Sequence, residues 1–434
     1  MLGLGSAQRA DFGEYDVREV FGEIIVPLIE DGLVHNATIE AGVRYSEYST
    51  TGGSTTWKLG GNVEFVPGVK VRAMYQNAVR SPNIVELFRS SGQALGNLTI
   101  DPCAGVNPSA PEALCLATGA PVGVYGGIPQ PSSRQINVTI AGNRDLDVEQ
   151  ANTYTIGLVL NPPAWNGLTA TIDYFNIKIE DQISAPSQTD ILDGCYSPVL
   201  NPSQTPNVFC SLIVRNPLTG GLSGSGETPG VILTNSNLGT LETAGVDFSV
   251  GYRLTLADYW QAVPGDFRVS ASGTWLDYYH TQATPNSINR ICSGYYSTAC
   301  GNPRPEWKWN VRGVYTHDRL TASLLWNHIS AVELEPGPSS SAPSFSTPQN
   351  GNASFASILP AFRSIDAYDW FDLSLAYELT DGAEVTFLVE NLFDQAPPLV
   401  GNNVSGFEYN DGNTFPNVYD MIGRSYSVGV RMKF

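Results

Sequence analysis

The six cysteines of this 434-residue chain are the residues whose spacing points most clearly to chemistry. They fall as three local pairs in stretches rich in Gly, Pro, Asn and Ser: Cys103 with Cys115, Cys195 with Cys210, and Cys292 with Cys300. No pair has CxxC spacing and no histidine stands at ligand spacing beside one, so zinc is a poor explanation. The pairs instead predict three disulfides that staple loops in an oxidising compartment, with free thiols as the alternative.

The other residues that act on substrates or metals in proteins show no such arrangement. Four histidines are scattered without an HExxH pattern or metal-ligand spacing: His35, His280, His317 and His328. The stretch from Asn143 to Glu149 resembles a calcium loop superficially but lacks the glycine that such a loop needs at its middle. There is no G-x-S-x-G elbow, no Walker loop and no pair of carboxylates set for acid–base work. The sequence therefore predicts a protein that is not an enzyme, with no metal site and no cofactor.

The segments that would hold such stapled loops are strands with one apolar and one polar face. The final ten residues, 425–434, alternate apolar with polar side chains and end on Phe434. A lipid-facing side and a lumen-facing side are what an outer-membrane β-barrel needs, although a soluble edge strand would show the same alternation. Period-two alternation recurs along the chain. It predicts thirteen strands, at about 16–30, 35–50, 55–67, 69–80, 151–163, 168–183, 239–256, 265–281, 306–318, 320–331, 367–379, 383–394 and 425–434.

The connections between these strands alternate between tight turns and long loops. The long loops are 81–150, 184–238, 282–305, 332–366 and 395–424, and 50–54 is a brief member of the same set. All three cysteine pairs fall in long loops. Turns at one end and loops at the other are typical of outer-membrane barrels, with the loops outside the cell. Aromatic residues near strand ends, such as Trp275 and Trp326, would form belts at the two lipid interfaces, or would pack a core or stack on sugars.

Composition limits the class of protein further. The hydrophobic fraction is 42% and the mean hydropathy is −0.10. No run of about 18 apolar residues exists to form a transmembrane helix, but this does not exclude membrane-spanning strands. The 43 glycines and 29 prolines favour turns over long helices. The net charge of −19 argues against nucleic acid as a partner and indicates acidic, solvated loops, or alternatively a funnel that attracts cations.

Six short motifs, in order over residues 77–434, resemble those of TonB-dependent outer-membrane receptors. They match the family patterns R-A-P-N-x-x-E-L-F, N-x-x-L-x-P-E, D-Y-Y-N-I-x-I, T-x-G-V/I-D, x-N-L-F-D-x-x-P-P and Y-D-x-x-G-R-x-Y, and stand here at 77–88, 143–149, 173–179, 243–247, 390–398 and 419–426. Each motif alone is weak, but six collinear motifs are specific. Ser81 and Val148 stand where the family more often has Ala and Pro.

The resemblance implies an all-β fold: an antiparallel transmembrane β-barrel of about 22 strands in the outer membrane of a Gram-negative bacterium. It also implies a separate N-terminal plug domain and a TonB box that couples transport to the inner membrane. The first twenty residues carry no signal-peptide pattern. We therefore expect residues 1–434 to be the C-terminal part of such a receptor, its last thirteen strands, without plug or box. The expected partners are outer-membrane lipid and, through the missing N-terminal region, the TonB complex.

The predicted function is the import of a scarce small-molecule or oligosaccharide ligand with energy supplied through TonB. Basic loop residues are sparse (Arg89, Arg134, Arg215 and Arg290), which disfavours an anionic ferric siderophore and leans the prediction slightly toward carbohydrate. A ferric siderophore or cobalamin-type receptor and a non-transporting surface adhesin remain alternatives, as does, from another class, a secreted all-β enzyme or sugar-binding module.

Candidate ligand contacts are one basic and several aromatic residues of the long loops. The aromatic rings would stack on a sugar or on an aromatic chelate, or would simply pack the loops. The candidates are Tyr125, Arg134, Tyr295, Tyr296, Phe407 and Tyr409.

Overall fold

The structure, a computed structural model, describes residues 10–224, 228–260, 263–337, 347–352, 355–401, 404, 410 and 412–433. Strands dominate this part of the chain. In chain order they are β1 Val17–Glu30, β2 Asn36–Tyr48, β3 Gly52–Val66, β4 Val69–Arg80, β5 Gly92–Asn97, β6 Gln135–Ala141, β7 Glu149–Leu160, β8 Leu168–Ser184, β9 Ile213–Val214, β10 Gly230–Thr234, β11 Ser236–Thr255, β12 Asp266–Gln282, β13 Arg290–Ile291, β14 Tyr295–Tyr296, β15 Trp307–His317, β16 Leu320–Ile329, β17 Val332–Leu334, β18 Ser364–Ile365, β19 Tyr368–Thr380, β20 Ala383–Glu390 and β21 Ser425–Met432.

Thirteen of these strands form one antiparallel sheet in which each strand pairs with the next along the chain. The order is β1-β2-β3-β4-β7-β8-β11-β12-β15-β16-β19-β20-β21, with the short β13 added beside β12. The thirteen strands predicted from sequence are therefore confirmed. The predicted end of β20, at residue 394, was too late. The strand ends at Glu390 because the next residue, Asn391, has a positive φ of 50°.

The helices are short and lie in or beside the connections. They are α1 Ile84–Phe88, α2 Glu112–Ala117 and α3 Gln188–Tyr196, with single 3₁₀ turns at Ser132–Arg134, Cys210–Leu212, Leu256–Asp258, Phe355–Ser357 and Pro360–Phe362. Within the described residues, no helix has both the length and the apolar character to cross a membrane.

The two faces of the large sheet differ as the alternation predicts. On one face, outward apolar side chains such as Ile156 and Ile172 remain exposed. On the other face, polar side chains pair across strands. Arg72 donates from Nε and Nη2 to Asp173, at 2.8 and 2.8 Å, across the intervening β7. The cross-strand position between them is Gly157, where a Cβ would lie 1.8 Å from an Asp173 oxygen, so this ion pair needs glycine.

The apolar core of the described chain lies in the long loops and not in the large sheet. Two further small sheets, β5-β6-β10-β9 and β14-β17-β18, form there. Buried apolar residues gather in two large clusters, one around Leu114 and Ile191 and one around Tyr296 and Phe415. A single-layer sheet has no interior of its own, so the loops are where most side chains become buried.

Candidate ligand-binding site on the outer loops

The first motif that resembles the family anchors the loop that leaves β4. Arg80 donates from Nε and Nη2 to both oxygens of Glu149, at 2.6 and 2.8 Å, and from Nη1 and Nη2 to Glu86, at 2.9 and 3.1 Å. Asn83 and Glu86 form a reciprocal capping box at the start of α1. Glu149, from the second motif, also accepts from the Ile183 backbone at 2.7 Å. The first two motifs therefore meet and fix the base of this loop.

The last two motifs meet in the same way at the base of the final loop. The Asn391 side chain, which is 1% exposed, donates to Gln395 O at 2.9 Å and to Asp420 Oδ2 at 3.3 Å. The Arg424 backbone donates to Asp394 Oδ1 at 2.9 Å. These contacts give the motifs that carry the family resemblance a structural role, as anchors of the loops.

The first loop module, formed by residues 92–148 and 185–235 where described, is a small folded unit. The Cys103–Cys115 and Cys195–Cys210 disulfides lie in its core, as predicted from their spacing. Arg215 lies at its centre and donates from Nη1 and Nη2 to Asp101, at 2.7 and 2.8 Å, with both side chains 0% exposed. The same guanidinium donates to the hydroxyls of Thr118 and Tyr196. A buried charge satisfied on every side holds this module together.

The second loop module, formed by residues 283–306, 330–367 and 391–424 where described, has an aromatic core. The third predicted disulfide, Cys292–Cys300, is present here. Tyr296 is 0% exposed, donates its hydroxyl to Phe362 O at 2.8 Å and meets Phe415 edge-on at 5.6 Å between ring centroids. Tyr368 and Tyr419 form a similar edge contact at 5.4 Å. Burial raises the pKa of Tyr296 above its usual value, as it does the pKa of Tyr419.

A buried ion cluster joins the two modules. Arg290 donates to Asp190 on α3 of the first module and, from Nη1 at 2.5 Å, to Glu335 of the second. Glu335 also accepts from Ser297 Oγ at 2.6 Å and from the Gly351 backbone at 3.1 Å. Burial alone would lower the pKa of Arg290, but the two carboxylates outweigh it and raise that pKa.

A third carboxylate near this ion cluster titrates abnormally. Burial raises the pKa of Asp193 from 3.8 to about 6, and the neighbouring Asp190 carboxylate adds to the rise, which Arg290 partly offsets. When Asp190, Asp193 and Glu335 are all ionised, the single positive charge of Arg290 cannot neutralise their three negative charges. The contact between the modules therefore has an excess of negative charge.

The ligand-contact candidates are divided between the modules. Tyr125 is half-buried and donates its hydroxyl to Ala110 O at 2.9 Å, while Arg134 is exposed with a positive φ of 57°. Both belong to the first module. Tyr295 is half-buried in the second module, where burial and the carboxylates of Glu333 and Glu306 raise its pKa. Tyr296 has the buried position of a core residue. Phe407 and Tyr409 lie outside the described residues. The structure does not bring the described candidates together at one point.

Two of the basic loop residues named from the sequence are not accessible to a ligand in the structure. Arg215 and Arg290, counted from sequence as loop cations, are buried and paired. Arg304, which the sequence analysis did not select, stacks its guanidinium 3.9 Å above the Tyr279 ring, and its Nε has no hydrogen-bond partner in the described part of the chain. Its backbone donates to Tyr295 O at 3.2 Å. No local pattern could reveal this contact, because Tyr279 lies on β12 and Arg304 lies near the far end of the 283–306 loop that follows it. A cation over a ring suits a planar aromatic or anionic group.

Among the described residues, no group of three or more His, Cys, Asp or Glu side chains is placed to hold a metal ion.

Residues 5–392 match the family model described as TonB dependent receptor-like, beta-barrel. The chain belongs to this family. Its all-β barrel fold agrees with that assignment, as do the alternating turns and loops predicted from sequence. Members of the family are transporters of the Gram-negative outer membrane and not enzymes. No curated protein sequence matches the chain.

Solved receptor structures share this TonB-dependent receptor fold at low sequence identity. The ferric enterobactin receptor of Pseudomonas aeruginosa, in complex with enterobactin, is 14% identical over 97% of this chain and 46% of its own, with a TM-score of 0.58. The siderophore receptor PirA of Acinetobacter baumannii is 15% identical over 96% of this chain and 46% of its own, with a TM-score of 0.55. The copper transporter OprC is 13% identical over 97% and 48%, with a TM-score of 0.50. The chain thus spans under half the length of these proteins, and none of their names supports the lean to carbohydrate.

Proposed function

We propose that this chain is the barrel part of an outer-membrane receptor that imports a small metal chelate of the ferric-siderophore class. The family membership over residues 5–392 carries the proposal, and the names of the similar solved structures favour a siderophore over a carbohydrate. The energy would come through TonB, acting on an N-terminal plug domain of the whole receptor. The chain would then be the C-terminal portion of a longer receptor located in the outer membrane.

The corner formed by Tyr279 and Arg304, with Tyr295 bonded to the Arg304 backbone, is the part of the loops that best suits such a ligand. A ferric chelate presents planar aromatic or carbonyl groups with negative charge, which a stacked guanidinium and phenol rings recognise. Tyr125 and Arg134 of the first module, and Phe407 and Tyr409, remain proposed ligand contacts. Tyr296 would reach a ligand only if the second module opened.

The proposal is tested with the intact receptor encoded by the gene, purified in detergent. Binding of ferric catecholate, ferric hydroxamate, cupric ion and a linear oligosaccharide is measured by quenching of intrinsic fluorescence and by calorimetry. We expect one ferric chelate to bind with a Kd at least a hundredfold below that of the oligosaccharide, about 2.7 kcal/mol. Tighter binding of the oligosaccharide would overturn the ligand class while leaving the family assignment intact.

The proposal that the chain is part of a longer receptor is tested separately at the gene. We expect the coding sequence upstream of Met1 to continue in frame through a plug-sized domain, a TonB box and a signal peptide. An unrelated gene or a stop codon there would contradict the claim that this chain works in TonB-dependent transport.

A further inference from the structure

The outward face of the barrel carries its tryptophans unevenly. Four of the chain's eight tryptophans lie together on β12, β15 and β16. Their rings form two contacting groups that include two phenylalanines. Trp275 contacts Trp307 at 6.1 Å between centroids; in the second group, Trp309 contacts Trp326 at 4.7 Å, Trp326 contacts Phe371 at 5.7 Å and Phe371 contacts Phe393 at 5.4 Å. We call these six residues the tryptophan patch.

The tryptophan patch stands at the membrane edge next to the long loops. Trp307 begins β15, and Trp326 lies three residues before the end of β16 at Ile329. Directly below it on the same face are apolar residues such as Leu324 and Leu373, which are cross-strand partners. Aromatic rings at this level mark the boundary between hydrocarbon and headgroups in outer-membrane barrels. The patch is therefore continuous with the lipid-facing surface and lies at the depth of the outer-leaflet headgroups.

A polar group lies inside this aromatic patch. Oδ1 of Asp369 accepts from Trp326 Nε1 at 2.7 Å and pairs with His328 Nδ1 at 2.8 Å. The His328 ring stacks on Trp309 at 4.6 Å with an interplanar angle of 21°. The Asp369 side chain remains 41% exposed. The indole rings are thus held in fixed orientation beside a carboxylate and an imidazole that face the same surface.

Among the described residues, contacts between two indole rings occur only in the tryptophan patch. On β3 and β4, Trp57 contacts Tyr75 at 5.4 Å; on β7 and β8, Tyr154 contacts Tyr174 at 6.0 Å; and on β12, Tyr278 stacks on His280 at 4.8 Å. An ordinary aromatic belt needs only such scattered rings. An ordinary belt therefore does not explain the concentration of indoles around Asp369 and His328.

We propose that the tryptophan patch binds the sugar headgroup of an outer-leaflet glycolipid. The flat faces of indole rings pack against the apolar C–H faces of sugar rings, while Asp369 and His328 bond to the hydroxyls. The acyl chains then lie along Leu324 and Leu373 below. A phospholipid offers no sugar ring to the indoles, and a soluble sugar would gain nothing from the apolar surface. This inference needs the chain to be in the outer membrane but does not depend on which ligand is imported.

The test uses the intact receptor in detergent and a rough-type lipopolysaccharide as the probe, with bound glycolipid counted by native mass spectrometry and titrated by tryptophan fluorescence. Trp309→Leu removes the ring that stacks on His328, and Asp369→Asn removes the charge but keeps the size. Trp57→Leu is the matched control elsewhere in the belt. We expect about tenfold weaker binding for Trp309→Leu, a smaller loss for Asp369→Asn and no change for Trp57→Leu.

Several results would overturn the inference. Equal losses of glycolipid affinity in Trp309→Leu and Trp57→Leu would show that the patch does not differ from the rest of the aromatic belt. Equally tight binding of phosphatidylethanolamine vesicles would show that no sugar is recognised, and equally tight binding of the free core oligosaccharide would make the site one for soluble sugars. Folding of each variant is verified by its heat-modifiable migration on gels. Ligand uptake by Trp309→Leu should stay at the parent level, so failure here and failure of the proposed import are distinguishable.

Discussion

The two loop modules are built on opposite principles. The first module has two disulfides, a small sheet and a buried Arg215–Asp101 pair whose bonds are all made. The second has one disulfide and a core of aromatic rings. Among the described residues of the second module, several buried polar atoms have no hydrogen-bond partner: Asn302 Oδ1, Asn350 Oδ1, Asn410 Oδ1 and Nδ2, Thr414 Oγ1 and Tyr419 Oη. None of the described residues of the first module has such an atom.

The difference between the modules indicates a division of roles. An unsatisfied buried polar group costs about 1–3 kcal/mol, so we expect the second module to open locally more readily than the first. The first module is then the rigid scaffold, and the second is the part that a bound ligand would reorganise. The Arg290 cluster is a buried polar contact that both modules share.

The largest expected effect comes from breaking the first module at its centre. Asp101→Ala leaves the Arg215 guanidinium buried without its carboxylate, which should cost about 3–5 kcal/mol. Hydrogen exchange of the first-module amides in the intact receptor measures the loss. Exposed Arg134→Ala is the control and should change exchange little. Protection equal to that of the parent in Asp101→Ala would contradict the scaffold role.

The next effect tests the contact between the modules through pH. The pKa of Asp193 is about 6 in the folded protein against 3.8 ordinarily, so the folded state binds more protons between these values. Stability therefore falls as pH rises from about 4 to about 6 and is constant above, by at most about 3 kcal/mol. Asp193→Asn should abolish this fall and stabilise α3 at pH 7.5, measured by hydrogen exchange across pH 4–8. An unchanged pH profile would contradict the charge imbalance described for the contact between the modules.

A smaller effect concerns the ligand corner of the second module. Arg304→Ala removes the guanidinium over Tyr279 and should weaken binding of a ferric chelate about tenfold, or about 1.4 kcal/mol. Arg363→Ala is matched, because Arg363 also stacks on a ring, Phe355 at 4.5 Å, but bonds to the carbonyl of Ile358. Equal losses in the two variants, by calorimetry, would remove Arg304 from the proposed site.

The smallest expected effect compares one buried hydroxyl from each module, one without a hydrogen-bond partner among the described residues and one with two partners. Tyr419→Phe deletes a buried hydroxyl that has no partner among the described residues, so it should leave stability unchanged or raise it by up to about 1 kcal/mol. In the first module, Tyr196→Phe deletes a hydroxyl that donates to Thr118 and accepts from Arg215, and it should destabilise by about 1 kcal/mol or more. Thermal unfolding of the two variants compares them directly. A loss of stability in Tyr419→Phe as large as that in Tyr196→Phe would contradict the difference between the modules.

Features that depend on residues close together in the sequence could be predicted, whereas features that depend on distant residues could not. Strands follow from alternation between neighbouring residues, and the disulfides join cysteines 12, 15 and 8 residues apart, so both were visible locally. The loop interiors depend on pairs that no local pattern reveals. Asp101 and Arg215 are 114 residues apart, and Tyr296 is buried by Phe415 from another loop. For that reason loop arginines and tyrosines that looked available for a ligand turned out to be core residues.

The proposed import is measured as uptake of radiolabelled iron by Gram-negative cells that express the intact receptor. We expect uptake of one class of ferric siderophore that requires both a functional TonB and this barrel, and that continues when an excess of oligosaccharide is added. Uptake that is independent of TonB, or import of an oligosaccharide without import of any ferric chelate, would contradict the proposed function.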